Sequence, residues 1–350
     1  MKAAVWYGRN DVRIKDVPEP KPGEGEVKIK IHWCGICGTD LHEYNAGPIF
    51  LPVEPHPLTG KKVPLIMGHE FSGEVAEVGK SVEGIEVGEI VVPWPGLTCG
   101  KCYWCKRGQP GLCHMLAARG LMVDGAFAEY IIVPSLTINK VPVGVPSDEA
   151  ALTEPLAVGL HGLRKSGIKP GDNVVVVGAG TIGLSTIQAA RISGARKVFV
   201  VEVLKARKEL AMRLGADIVI DPTEANVLEE VQKETDGVGA DIAFECVGIQ
   251  ETLNTTVDAI RRGGKAVILG VFEKPVEIGM TLAVAFEKQM IGSFGHDFEF
   301  PSVLSYLKDG RMQAKPLITD KIRLDDIVEQ GFKELINSKE RHIKILVSPR

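Results

Sequence analysis

The sequence predicts an α/β chain in two parts, an antiparallel β domain followed by a doubly wound parallel sheet. Three observations carry this. The first half holds short runs of alternating apolar residues broken by Gly and Pro: VKIKIHWC at 27–34, EVAEVG at 74–79 and IVVPW at 90–94. That is the period of half-buried strands. From residue 173 onward, apolar runs alternate with helical patterns, the rhythm of βαβ units. At 350 residues the chain exceeds one ordinary core.

Taken in order, the strand FAEYIIVP at 127–134 closes the first part, and the segment PVGVPSDEA follows, where Ser147 or Asp148 is expected to cap a helix. The boundary falls near residue 150. The second part reads as strand NVVVVGA, a helix, strand KVFVVE, helix ARKELAMRLG, strand ADIVID and helix NVLEEVQKET. Strand ADIAFECVG, helix TLNTTVDAIRRGG and strand KAVILGV complete it. Beyond residue 290 a helix is expected near SVLSYLKDG, another over LDDIVEQGFKELINSKE, and a last strand HIKILVS.

Cys99, Cys102, Cys105 and Cys113 lie in one Gly- and Pro-broken loop, CGKCYWCKRGQPGLC. Four thiolates so spaced can surround one tetrahedral zinc ion and leave no vacant position, which marks a structural lobe. A nucleic-acid zinc ribbon would split its ligands into two distant pairs and carry a basic patch, and this loop does neither. Upstream, GICGTDLH supplies Cys37, Thr39, Asp40 and His42, and MGHEFSG supplies His69 and Glu70. A thiolate and an imidazole suit zinc. With a carboxylate added and one position open, such an ion would be catalytic, lowering the pKa of a bound water towards roughly 7.

In the second part the apolar run at 174–177 meets GAGTIG and then a helical pattern, so Gly178, Gly180, Thr181, Ile182 and Gly183 form a dinucleotide fingerprint between strand and helix. This is the signature of a Rossmann domain. Glu202 stands 19 residues beyond Gly183, at the end of the next strand, where an acid accepts ribose hydroxyls and repels a 2′-phosphate. NAD is therefore expected over NADP, although Lys205 and Arg207 are basic groups close enough to meet a phosphate.

A closed zinc lobe, an open zinc site upstream and a Rossmann fingerprint downstream resemble the zinc-containing medium-chain alcohol dehydrogenase family over essentially the whole chain. Within it, GTDLHEYNAGPIFLPVEPHPLTG and GHEFSGEVAEVG look most like the 2,3-butanediol dehydrogenase branch. The resemblance implies a GroES-like catalytic domain at 1–152 and 295–350 around an NAD-binding domain at 153–294. It implies Cys37 and His69 as the first two ligands of the catalytic zinc. The second cysteine used by the primary-alcohol enzymes has no counterpart here, so a carboxylate must fill in, Glu154 in TEPLAV by resemblance or Glu70 beside His69. Thr39 and His42 resemble the family's proton relay. The implied reaction is reversible oxidation of a secondary alcohol or vicinal diol, 2,3-butanediol to acetoin, with hydride transfer to NAD. Sorbitol or L-threonine 3-dehydrogenase is the rival within this class, and an NAD-binding protein with structural zinc only is the rival outside it.

Bulk properties fit a small-molecule enzyme. Hydrophobic residues at 45% and charged residues at 25% supply a core, and a net charge of −4 gives no nucleic-acid surface. No stretch approaches the roughly 20 apolar residues of a membrane span, and MKAAVWYGRNDVRIKD lacks the apolar region of a secretory signal. Seven cysteines suit zinc thiolates better than disulfides. A cytoplasmic homo-oligomer, dimer or tetramer, acting on an alcohol or ketone is expected, the oligomer by resemblance alone.

Overall fold

The computed structural model describes residues 1–349. Two compact units form. The first comprises Met1–Glu154, Phe300–Gly310 and the residues from Ala314 onward; the second comprises Pro155–Glu299 and Arg311–Gln313.

In the first unit a mainly antiparallel seven-stranded sheet has strand Glu26–Gly35 at its centre. This strand pairs on one side with Glu70–Val78 and on the other with Lys344–Ser348, so that Gly35 lies opposite Glu70 in one direction and Leu346 in the other. Alternation buries Val27, Ile29 and Ile31 against Phe71, Val75, Phe127 and Phe332, each at most 1% exposed. The sheet thus fixes the backbone on which Cys37, His69 and Glu70 are carried.

The second unit is a six-stranded parallel sheet. Counted within the unit, its strands stand in spatial order 3-2-1-4-5-6: Ile218–Ile220, Lys197–Val201, Asn173–Val177, Ala240–Glu245, Ile260–Ile268 and Gln289–Gly292. This is the doubly wound order whose switch point lies at the carboxyl end of the first strand. Val174–Val177, Val198–Val201 and Ala243–Phe244 are buried, as a sheet covered on both faces requires.

Three expected elements differ. Neither Ser147 nor Asp148 caps a helix: the short helix Ser147–Ala150 begins after Pro146, and Ser147 Oγ instead meets Ser72 Oγ at 2.9 Å and His32 Nδ1 at 3.1 Å. The helix before the fifth parallel strand ends at Ala259, because β-branched Ile260 already pairs with Ala240. The expected last helix breaks into a 3₁₀ turn Leu324–Asp326, a π segment Ile327–Phe332 and an α turn Lys333–Asn337. Ile327 and Phe332 are both fully buried at a spacing of five. An α-helix would set them about 140° apart, and π winding brings them to one face.

Candidate active site

Cys37 sits at the N-cap of helix Gly38–Ala46, its backbone N–H donating to the Asp40 carboxylate at 2.9 Å. This half of a capping box fixes the thiol at the positive end of the helix dipole. Thr39 and His42 follow on the same helix three residues apart, both half-buried. Thr39 Oγ1 is 3.6 Å from Cys37 Sγ, so the hydroxyl and the thiol share one spot.

Donor atoms of Cys37, His69 and Glu70 lie within 4.8 Å of one another, a set of types suited to a divalent metal. His69 and Glu70 are 6% and 1% exposed. His69 Nδ1 is buried without a hydrogen bond and lies 3.7 Å from the likewise unsatisfied Asp40 Oδ1. Burial alone would depress the imidazole pKa, yet the Cys37 thiolate, Asp40 and Glu154 together push it well above its ordinary value. Desolvation raises the Asp40 carboxyl to about 6, against the lowering pull of His69. Four acids or thiols around one buried imidazole call for a cation, and the residues fit a zinc ion. Glu154 is buried in the first turn of helix Thr153–Ser166 and acts electrostatically on His69, but its carboxylate lies outside the close set.

Asp40, which the sequence offered only as a ligand or relay type, and Lys344, which it did not single out, both belong here. Asp40 faces the imidazole, a relation only its burial betrays. Lys344, from the last strand, donates to Glu70 Oε1 at 2.8 Å and Oε2 at 2.6 Å, and to the Ile36 carbonyl at 2.8 Å.

The lobe is equally well formed for a metal. Cys102 and Cys105 sulfurs are 3.5 Å apart and Cys99 and Cys113 sulfurs 3.6 Å, with all four donors within 4.8 Å. Four sulfurs at about 2.3 Å from a tetrahedral zinc would stand about 3.8 Å apart. Backbone N–H groups of Cys105 and His114 draw the Cys102 thiol down to about 6, and those of Lys101 and Cys102 help lower Cys99. Burial instead pushes Cys113 up to about 11, although its sulfur accepts N–H groups of Cys99 and Met115 at 3.4 Å. A bound metal deprotonates a coordinating thiol outright.

In the second unit Gly178 has φ +92°, and a Cβ on Gly183 would overlap the Gly178 carbonyl, so the turn and the helix that follows need these glycines. A Cβ on Gly180 would meet only Arg207 Nη1, at 3.8 Å, which leaves the start of helix Thr181–Ile192 open to a phosphate. Thr181 and Ile182 are half-buried in its first turn. Glu202 Oε2 accepts the Ala179 N–H at 2.8 Å, and Oε1 accepts those of Val203 and Leu204 at 2.8 and 2.9 Å. The carboxylate is thereby held rigid beside the fingerprint, with Oε2 retaining a lone pair for a hydroxyl.

The description Alcohol dehydrogenase GroES-like domain matches residues 23–143, and Zinc-binding dehydrogenase matches residues 181–309. The (R,R)-butanediol dehydrogenase of Bacillus subtilis (strain 168) is 42% identical, with 100% of each chain covered. The chain belongs to the zinc-binding alcohol dehydrogenases. A crystal structure of 2R,3R-butanediol dehydrogenase from Bacillus subtilis superposes with a TM-score of 0.93 at 41% identity, covering 100% of this chain and 99% of that one. The L-threonine 3-dehydrogenase of Pyrococcus furiosus is 39% identical over 95% of this chain and 93% of its own. As a member of this family the protein is a zinc-dependent oxidoreductase of alcohols, with the fold expected from the sequence.

Proposed function

We propose that the protein interconverts 2,3-butanediol and acetoin with NAD, using one catalytic and one structural zinc per chain. The observation that carries this reading is the cluster of Cys37, His69 and a buried carboxylate with the Thr39 hydroxyl against the thiol. The first unit takes the catalytic role and the second the cofactor-binding role. When bound, zinc supplies Lewis-acid polarisation of the substrate oxygen and NAD accepts the hydride.

The chain's own residues do the rest. Cys37 and His69 hold the metal, with Glu154 or Glu70 as the third ligand. Asp40 orients His69 through Nδ1, the usual partner of a metal-bound imidazole. Thr39 binds the substrate hydroxyl and takes its proton, which leaves by way of His42. Gly178, Gly180, Thr181, Ile182 and Gly183 receive the pyrophosphate, Arg207 lies beside it, and Glu202 accepts a ribose hydroxyl and disfavours NADP. Cys99, Cys102, Cys105 and Cys113 hold the structural zinc.

A vicinal diol is favoured by the full-length likeness to butanediol dehydrogenases, while the 39% identity to a threonine dehydrogenase favours the second reading, a 1,2-amino alcohol. Comparing NAD-linked oxidation of each 2,3-butanediol stereoisomer with that of sorbitol and L-threonine decides it. Stereoselective turnover of the diol is expected; faster turnover of threonine or sorbitol at equal concentration would replace the assignment. The working form is a cytoplasmic homo-oligomer. Among the described residues no helix is long and apolar enough to cross a membrane.

A further inference from the structure

Glu70 and Lys344 stand on strands that do not touch. Strand Glu26–Gly35 runs between them, and any side chain at position 35 on that face would keep them apart. Gly35 has none, and a Cβ built there would overlap Glu70 Oε2. The carboxylate occupies that gap, and the lysine reaches it from the far strand. Lys344 and Glu70 side chains are 3% and 1% exposed, so the pair is dry. Both Glu70 oxygens are engaged, and the same ammonium holds the carbonyl of Ile36, the residue before Cys37. A buried pair of this kind contributes little net stability over an apolar pair of the same shape, so its place beside the metal ligands suggests another use.

We propose that Lys344 is a positioning residue of the metal centre: bridging over Gly35, it competes with the metal for the Glu70 carboxylate, which stands in the close set with Cys37 and His69, and so favours Glu154 as third ligand although its carboxylate stands outside that set. The inference rests on the catalytic-zinc reading. A Glu70 oxygen already lies within 4.8 Å of the Cys37 and His69 donor atoms while both oxygens accept from Lys344, so each offers a metal only its remaining lone pair, and the ammonium beside it weakens that donation. Without the ammonium, Glu70 is a buried carboxylate with one cation left nearby, the metal, and becomes a resident ligand.

The test uses the full-length enzyme with zinc retained in the cysteine lobe and Co²⁺ at the Cys37 site, read by visible absorption and by release to a chelator. Wild type is expected to show the intense bands of four-coordinate cobalt. Lys344→Met should lose much of that intensity as a further oxygen ligand binds, and release cobalt roughly 10- to 100-fold more slowly, the range over which groups behind metal ligands act. The double variant K344M/E70Q, which leaves no unpaired buried charge, should return to the wild-type spectrum and rate. Unchanged spectrum and release in K344M would overturn the proposal, as would a double variant that behaves like K344M. If K344M does not fold, Glu70→Gln alone decides: an unchanged cobalt spectrum supports the proposal, and an altered one makes Glu70 a resident ligand already and overturns it. Cobalt that never binds at Cys37 in wild type would instead bring down the metal-centre reading itself.

Discussion

The imidazole of His69 shows how much of the centre depends on single atoms. Its Nδ1 lies 3.7 Å from Asp40 Oδ1, and neither has another hydrogen-bond partner. A small ring rotation on metal binding would join them. Asp40→Asn should therefore weaken zinc at this site by roughly 10- to 100-fold, measured by competition with a chromophoric chelator, while the cysteine lobe keeps its metal. Glu202→Gln should narrow the preference for NAD over NADP by about tenfold, or about 1.4 kcal/mol, measured as the ratio of kcat/KM values. Unchanged discrimination would remove Glu202 from the ribose. The sequence made Cys37, His69 and Glu202 visible because each sits inside a short motif. It was silent on Lys344, whose partner is 274 positions away and whose role depends on an absent side chain at Gly35. It also left Glu70 and Glu154 unseparated, because burial and the lysine contact come only with the fold.

Helices and strands were legible where period and punctuation agreed. Five of the six parallel strands followed from their apolar runs, and the fingerprint helix from its glycines; the sixth strand, Gln289–Gly292, is four residues long and only partly buried, and was not foreseen. The π segment Ile327–Phe332 was not legible, because its apolar spacing fits a helix and only packing reveals that two residues five apart share one face. The ion-pair cluster that fastens Glu299 to helix Thr153–Ser166 was also hidden. Glu299 contacts His161 Nδ1 at 3.2 Å and Arg164 Nη1 at 2.9 Å on that helix. Burial opposes ionisation, but His161, the Asp297 N–H and Arg164 outweigh it and draw the carboxyl from 4.5 to about 2. The folded pKa lies below the unfolded one, so this contribution is full above about pH 5 and is lost as pH falls towards 2. Glu299→Gln should lower stability at pH 7 by about 2 to 3 kcal/mol and flatten the acid limb of an unfolding curve over that window. In the lobe, Cys102→Ser should release one zinc per chain and lower the melting temperature, because a structural site contributes its binding energy to folding.

At the scale of the whole molecule, two metals serve different ends. The lobe's four cysteines come from one loop, whereas the close set of Cys37, His69 and Glu70 gathers a helix cap and a strand entrance from separated parts of the first unit. That difference explains why the lobe could be read directly from spacing and the catalytic centre only through its motifs. The proposed division of labour between the units predicts that metal and cofactor binding separate cleanly. The most direct measurement is zinc content, NAD binding and 2,3-butanediol oxidation in the wild type and in Cys37→Ser. Two zincs per chain with rapid diol turnover are expected in the wild type, and one zinc, intact NAD binding and loss of most turnover in the variant. Full turnover by a Cys37→Ser protein shown to hold a single zinc would contradict a catalytic metal at this site.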